Sequence, residues 1–347
     1  MRVSSRRVLA RGAAAVRGTS PGNFAVVMAT GIVSVALRQV GQVSVSAVLL
    51  VITAAAFVIL VAAFALRAAA FPADLSRDLA RPDRAFTSFA FVAACDVLGS
   101  RLADDRHTVA AIALAAAALA AWLALTWLVP GRMAARRVRR PVITDVGGSW
   151  YLWAVATQSL AIAAAFLGAG RVIAAQPAAL TAITVWSAGA VLYLATCVVV
   201  AVRLLRAGLG PDEPTAPYWV AMGAASITVL AAAQILRGPG SPAANSARPV
   251  LSGLAIAFWG LASALIPPLI ARSVLRHLRP GRPLRYRPDL WMIVFPAGMY
   301  ATASMQIGTA TGLAFIHRVG TVAAWPAAAA WALTFVAMVA SSRLAYA

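Results

Sequence analysis

SVSAVLLVITAAAFVILVAAFAL, residues Ser44–Leu66, runs 23 residues without a charge and ends against Arg67. About 20 apolar residues in a helix cross the roughly 30 Å of hydrocarbon in a bilayer. Nine more runs share that character: Pro21–Leu37, Phe86–Ser100, Thr108–Val129, Ser149–Gly168, Ala178–Val202, Tyr218–Leu236, Val250–Ile270, Leu290–Ala310 and Thr321–Ala340. Backbone polar groups in hydrocarbon must be satisfied within their own segment, so each run is read as a helix. With 62% hydrophobic residues, most of the 347-residue chain lies in these spans, and no connection between them is long enough for a separate domain. That excludes a pair of soluble domains and predicts an all-α polytopic membrane protein with ten transmembrane helices.

The charges give the orientation. All basic residues are arginine, and they alternate between loops: 23 fall on the side of the two termini and 7 on the other. Positive charge accumulates on the cytoplasmic side, so both termini are expected inside the cell membrane. The division is a basic cytoplasmic N-terminus (1–20), one transmembrane domain (21–342) and a short cytoplasmic C-terminus (343–347). No apolar core with a cleavage site precedes the first span, which is read as its own insertion signal. A net charge of +20 would suggest nucleic acid in a soluble protein. Here the arginines flank membrane spans, and no nucleic-acid partner is expected.

Enzyme chemistry finds little support. His107, His277 and His317 lie outside the spans or at their edges, no His-Glu-x-x-His occurs, and no lysine exists to complete a phosphate-binding loop. Cys95 and Cys197 are isolated within spans, which suggests neither a disulfide framework nor a metal site. No cofactor is expected.

The cytoplasmic connections are long and rich in arginine and proline, and most of the external ones are tight, which arranges the chain as five helical hairpins. Phe24, Phe89, Trp153, Trp219 and Trp291 open the five rising helices at steps of 65, 64, 66 and 72 residues. Such a period suggests duplicated units about an axis along the membrane normal, although interfacial aromatics also recur at helix ends. The rising helices carry more hydroxyl, amide and acidic side chains than the returning ones. Intramembrane polar groups favour protein or water over lipid, so the rising helices are the candidates for an inner ring.

Two stretches carry a family resemblance: Pro21-Gly-Asn-Phe-Ala-Val-Val-Met-Ala-Thr-Gly31 and Trp291-Met-Ile-Val-Phe-Pro-Ala-Gly-Met-Tyr-Ala301. With the ten-span plan, they resemble the tellurite-resistance/dicarboxylate transporter family, which includes the slow anion channels. The resemblance implies a pseudo-five-fold bundle whose odd-numbered helices line a central pore. It also implies a phenylalanine plug on the ninth helix, matched by Phe295, and a homotrimer with one pore per subunit. This chain departs from the family in that, among its inner helices, only the ninth helix of the chain has a mid-span proline, Pro296, with Gly31, Gly99 and Gly223 as possible bends elsewhere.

Phe295 and Pro296 are accordingly the candidate gate, since a ring held at a proline bend can close an apolar constriction. Thr30, Gly31, Ser34, Thr157, Gln158, Gly223, Ser226, Gly298 and Thr302 are candidate pore-lining residues; helix packing is the competing reading for each. Asp96 is the one acidic residue well inside a span and a possible proton site. On the competing reading it is paired with Arg101 or solvated at the external end. The expected function is movement of small anions such as chloride, nitrate, sulfite, tellurite or C4-dicarboxylates. The alternative is a proton-coupled secondary transporter using Asp96.

Overall fold

A computed structural model describes residues 16–135, 146–208, 210, 213–277 and 286–346. Most of the basic N-terminal segment, parts of two arginine-rich loops (136–145 and 278–285) and residue 347 lie outside the described residues. Ten long helices, α1–α10, are each apolar enough to cross a membrane. They are α1 (Ala25–Gln39), α2 (Val43–Ala70), α3 (Ala90–Asp104), α4 (Thr108–Ala135), α5 (Tyr151–Ala169), α6 (Ala175–Ala207), α7 (Trp219–Arg237), α8 (Pro242–His277), α9 (Trp291–Thr311) and α10 (Ala314–Tyr346). Among the described residues there is no strand, and the fold is the expected all-α membrane bundle.

The even helices extend well past their apolar runs. α8 spans 36 residues where 21 were expected, and α10 continues to Tyr346 through residues read as a short tail. Arginine-bearing ends remain good helix formers outside hydrocarbon, so apolarity alone sets only a lower bound on length.

The odd helices close into a ring. α1 packs on α3, α3 on α5, α5 on α7, α7 on α9, and α9 returns to α1. Each even helix packs on its own hairpin partner and on the next odd helix, with α10 sealing the joint between α9 and α1. Between 72 and 94% of residues in the apolar stretch of each odd span are buried, against 11 to 28% in each even span. The chain is five hairpins in a pseudo-five-fold bundle, with the odd helices inside.

Small residues set the ring's seams, because without side chains backbones approach closely. A Cβ on Gly31 would lie 2.5 Å from Val97 Cγ1 of α3. On Gly223 it would lie 2.9 Å from Pro296 Cγ of α9, and on Gly298 2.9 Å from Ile32 Cγ2 of α1. Gly31, Gly223 and Gly298 are thus contact points between inner helices. α9 is continuous through Pro296, whose ring seats on Gly223.

The aromatic period has a structural counterpart. A one-turn 3-10 helix precedes every inner helix: Pro21–Phe24, Phe86–Phe89, Gly148–Trp150, Ala216–Tyr218 and Pro288–Leu290. These turns also contact one another in a closed circle. Gly148 takes part by necessity, since a Cβ there would lie 2.2 Å from the Pro217 carbonyl oxygen.

Candidate functional site

The circle of turns surrounds one mouth of the ring. A cavity of about 420 Å³ opens there, lined by Thr87, Ser149, Pro217 and Pro288 from four of the five turns, with Arg84, Arg287, Asp289 and Met292 beside them. All five inner helices begin at this mouth, and an α-helix carries about half a positive charge at its N-terminus from unpaired N–H groups. Ser20 Oγ caps the first of these units by accepting from the Gly22 N–H at 3.3 Å, the other four have no side-chain cap, and Asp289 is the sole acidic residue in the first turn of those helices and turns. Arg287 holds Asp289 through two hydrogen bonds, Nε to Oδ1 at 3.2 Å and Nη2 to Oδ2 at 2.8 Å. The mouth thus gathers the positive ends of five helix dipoles beside Arg84 and Arg287, a setting that attracts anions.

The contacts of α9 fix which of its faces looks inward. Pro296 meets Gly223 of α7, and Gly298 meets Ile32 and Val33 of α1. On the far side, Ser304 accepts from Trp259 Nε1 of α8 at 2.8 Å, and the Tyr300 and Ser263 hydroxyls share a 2.7 Å hydrogen bond. At 100° per residue, the face left between α7 and α1 carries Phe295, Met299 and Thr302. Met292 at the mouth stands three residues before Phe295, so the ring lies about one helical turn, or roughly 5 Å, deeper. Phe295 is buried and has no aromatic partner among the described residues.

The other expected lining residues are engaged elsewhere. Thr30 accepts from Trp331 Nε1 of α10 at 3.0 Å, and Ser34 donates to the Ser46 carbonyl of α2 at 2.7 Å. Thr157 accepts from Trp122 Nε1 of α4 at 3.0 Å. Gln158 donates to the Trp186 carbonyl of α6 at 3.1 Å and fills the space over Gly189, although its Oε1 is buried without a partner. Ser226 returns its hydrogen to the Met222 carbonyl of its own helix. On α1 the face turned away from Thr30 and α10 carries Met28 and Ile32, both apolar.

Buried polar groups without a partner mark the interior instead. Thr302 Oγ1, Ser159 Oγ and Asp96 Oδ1 make no hydrogen bond among the described residues. Thr302 shares the inward face of α9. Ser159 stands about 200° around α5 from Thr157, opposite α4. On α3, Val97 meets Gly31 of α1 and Gly99 meets Leu114 of α4. Asp96 falls in the arc between these contacts, left to α5 and the ring's interior. It is not paired with Arg101, which binds Asp105. A buried polar group without a protein partner costs free energy unless water or a ligand satisfies it. Ser159 was not anticipated; its neighbours Thr157 and Gln158 have the same composition, and only the direction of each side chain separates them. Met292, Thr87 and Ser149 at the mouth were likewise unread.

A family model described as voltage-dependent anion channel matches residues 18–339. Two relatives from Mycobacterium tuberculosis are uncharacterized membrane proteins, MT1776 of strain CDC 1551 / Oshkosh and Rv1735c of strain ATCC 25618 / H37Rv. Each is 43% identical to this chain over 147 residues, which is 42% of this chain and 75% of the relative. The resemblance carried by the first and ninth spans is borne out over almost the full length. The ring of odd helices and the family match together place the chain in the voltage-dependent anion channel family, a family of anion transport across membranes.

Proposed function

We propose that this protein conducts small anions along the axis of its inner ring, with Phe295 as the gate and Pro296 as its support. The observation that carries this reading is the position of Phe295, inward-facing and one turn below a positive mouth. An anion drawn to the mouth meets an apolar ring, whose displacement would open a wetted path. Beyond the ring, Ser159 and Thr302 offer hydroxyl donors that hydrate an anion without trapping it. The candidate cargo is chloride, nitrate, sulfite, a tellurite-like oxyanion or a C4-dicarboxylate. Both termini face the cytoplasm of the cell membrane, and the assembly is a homotrimer with one pore in each subunit. Nothing in this reading calls for catalysis.

Anion flux into proteoliposomes tests it. Phe295→Ala should raise flux several-fold over the native protein, while Phe315→Ala, on an exposed part of α10, should leave it unchanged. Folded Phe295→Ala protein with native flux would remove the ring from the pathway.

One observation favours a second reading, proton-coupled transport. Asp96 is buried with an oxygen that no protein group satisfies. Were it the proton carrier, flux would follow an imposed pH gradient and lose that dependence in Asp96→Asn. Flux indifferent to the gradient would leave Asp96 without that role.

A further inference from the structure

The inward stripe of α9 does not end at Thr302. At 100° per residue, Gln306 falls within about 40° of Phe295, Met299 and Thr302, one turn beyond the last of them. Its neighbours agree with that direction: Gly308 packs on His317 and Met305 on Gly320, both of α10, on the other side of the helix. Gln306 is 7% exposed, and its Oε1 accepts from Gln234 Nε2 of α7 at 2.8 Å. Gln234 lies about 20° around α7 from Gly223, which meets Pro296, so it belongs to the same seam. On α1, Gln39 stands opposite Thr30, which is turned to α10.

The three glutamines share a depth. Counted from the first residue of each inner helix, Gln39, Gln234 and Gln306 come at steps of 14, 15 and 15 residues. The helices start together at the circle of turns, so all three lie about 21 to 22 Å along the ring. That is about three turns, or roughly 16 Å, beyond Phe295, at the end opposite the mouth. Asp104 closes α3 at the same level and feels the charge of Arg237 at the end of α7, across the ring. Opposite charges thus meet over one opening, and the groups bonded to each other across its α7–α9 seam are amides.

A primary amide carries an NH2 group and a carbonyl. The single bond between Gln234 and Gln306 leaves one NH2 group and one carbonyl of the pair unengaged among the described residues, whichever way the amides are turned. Neither is sealed off, in contrast to Thr302 Oγ1. An apolar constriction strips water from an anion, and the loss is greatest for small, strongly hydrated ions. N–H donors beyond it return hydrogen bonds to the ion, and being neutral they do so without the countercharge that would trap it. We propose that this glutamine collar is the outer selectivity element of the conduit, with the Gln234–Gln306 pair replacing lost water on well-hydrated anions such as chloride. The inference rests on the conduction reading above and adds to it the residues that set which anions pass with ease.

The test compares chloride with iodide flux in proteoliposomes, using full-length Phe295→Ala protein so that the inner ring does not limit the rate. Iodide is the weakly hydrated member and has less water to replace. Gln306→Met, close in volume but without donors, should lower chloride flux about tenfold, the size of one lost hydrogen bond to an ion. Iodide flux should fall by less than about threefold, since it needs that bond less. Gln234→Met removes the other half of the pair and should shift the ratio the same way, so the test survives a poorly folded Gln306 variant. Gln306→Asn, which keeps an amide, should restore part of the chloride flux. A parallel change of both ions in the folded variants overturns the collar and leaves the conduit standing. Absence of flux for either ion in native and Phe295→Ala protein alike removes the conduit, and the collar's role with it.

Discussion

The outer helices of this protein are its more apolar half and also its more exposed half; the inner helices are more polar and almost wholly buried. A soluble bundle would be arranged the other way round. In a bilayer, lipid is as apolar as leucine, so burial of apolar surface gives no preference for the interior. What needs the interior is polarity: hydroxyls, the Asp96 carboxyl, amides and close backbone contacts. The outer helices instead solvate the ring in lipid and fasten it with a few directed hydrogen bonds. The two helix sets should therefore respond in opposite ways to the same substitution.

Glycine exposes the contrast most sharply. Gly223→Leu forces a side chain into the Pro296 ring and should cost about 1–3 kcal/mol or more, as overpacking does in close-packed cores. Gly253→Ala on α8 meets nothing within 4 Å. It should stay within about 1 kcal/mol of the native protein and lean toward stabilisation, since alanine is the better helix former. Unfolding in detergent micelles measures both. Equal losses would mean that the inner seams are no tighter than the lipid face.

The fastenings between the sets are tryptophans. Trp122, Trp186, Trp259 and Trp331 lie on α4, α6, α8 and α10, and each donates its indole N–H to the next inner helix. On α2 the same place is taken by Phe57, stacked on Phe91 of α3. These five aromatics follow the opening aromatic of their own hairpin by 33 residues in the first three hairpins and 40 in the last two. Trp331→Phe should cost about 0.5–1 kcal/mol, because the Thr30 hydroxyl loses its donor. Trp127→Phe, 81% exposed on α4, should change stability by less than about 0.5 kcal/mol. A matched loss at both positions would deny the indole hydrogen bond any role beyond the ring's apolar area.

Much of this was legible in the sequence, and the boundary of legibility has a physical cause. Ten runs such as Ser44–Leu66 are imposed by the thickness of hydrocarbon, so span number and hairpin order follow from composition. The inner and outer sets also showed, through the aromatics from Phe24 to Trp291 and the polarity of the rising helices. Direction around each inner helix did not show. Thr30, Ser34 and Thr157 have the composition of pore-lining residues, but tryptophans and carbonyls of outer helices claim their hydroxyls, and Gln158 gives its amide N–H to such a carbonyl while its Oε1 stays without a partner. Ser159, adjacent in sequence and equally polar, is left unclaimed. A side chain's partner belongs to another helix, from 12 to 301 residues away, and one chain's composition does not say which face that helix will cover. The family resemblance supplied Phe295 where periodicity alone did not single it out, and the inward stripe through Met292, Phe295, Met299 and Thr302 became readable only once Gly223 and Gly298 were assigned to their seams.

The two ends of the ring differ as its two helix sets do, and the smallest prediction comes from that difference. At the mouth, four of the five helix N-termini stand without a side-chain cap around a cavity. At the opposite end, Arg38 of α1 and Arg101 of α3 both converge on Asp105, whose carboxylate offsets part of their charge within the protein. Burial alone would raise the Asp105 carboxyl, but hydrogen bonds and charge from Arg38 and Arg101 outweigh it and hold the group below its ordinary value of 3.8. A carboxyl lowered on folding contributes stability above its unfolded value and loses it as pH falls through the lower folded value. Asp105 is partly exposed, so solvent screening keeps its contribution below about 1 kcal/mol. Asp105→Asn should then destabilise equally at neutral and mildly acidic pH, with the penalty fading below about pH 4. A penalty independent of pH would assign Asp105 a packing role and leave both arginines uncompensated. That end would then be as positive as the mouth, and the electrostatic asymmetry along the axis would disappear.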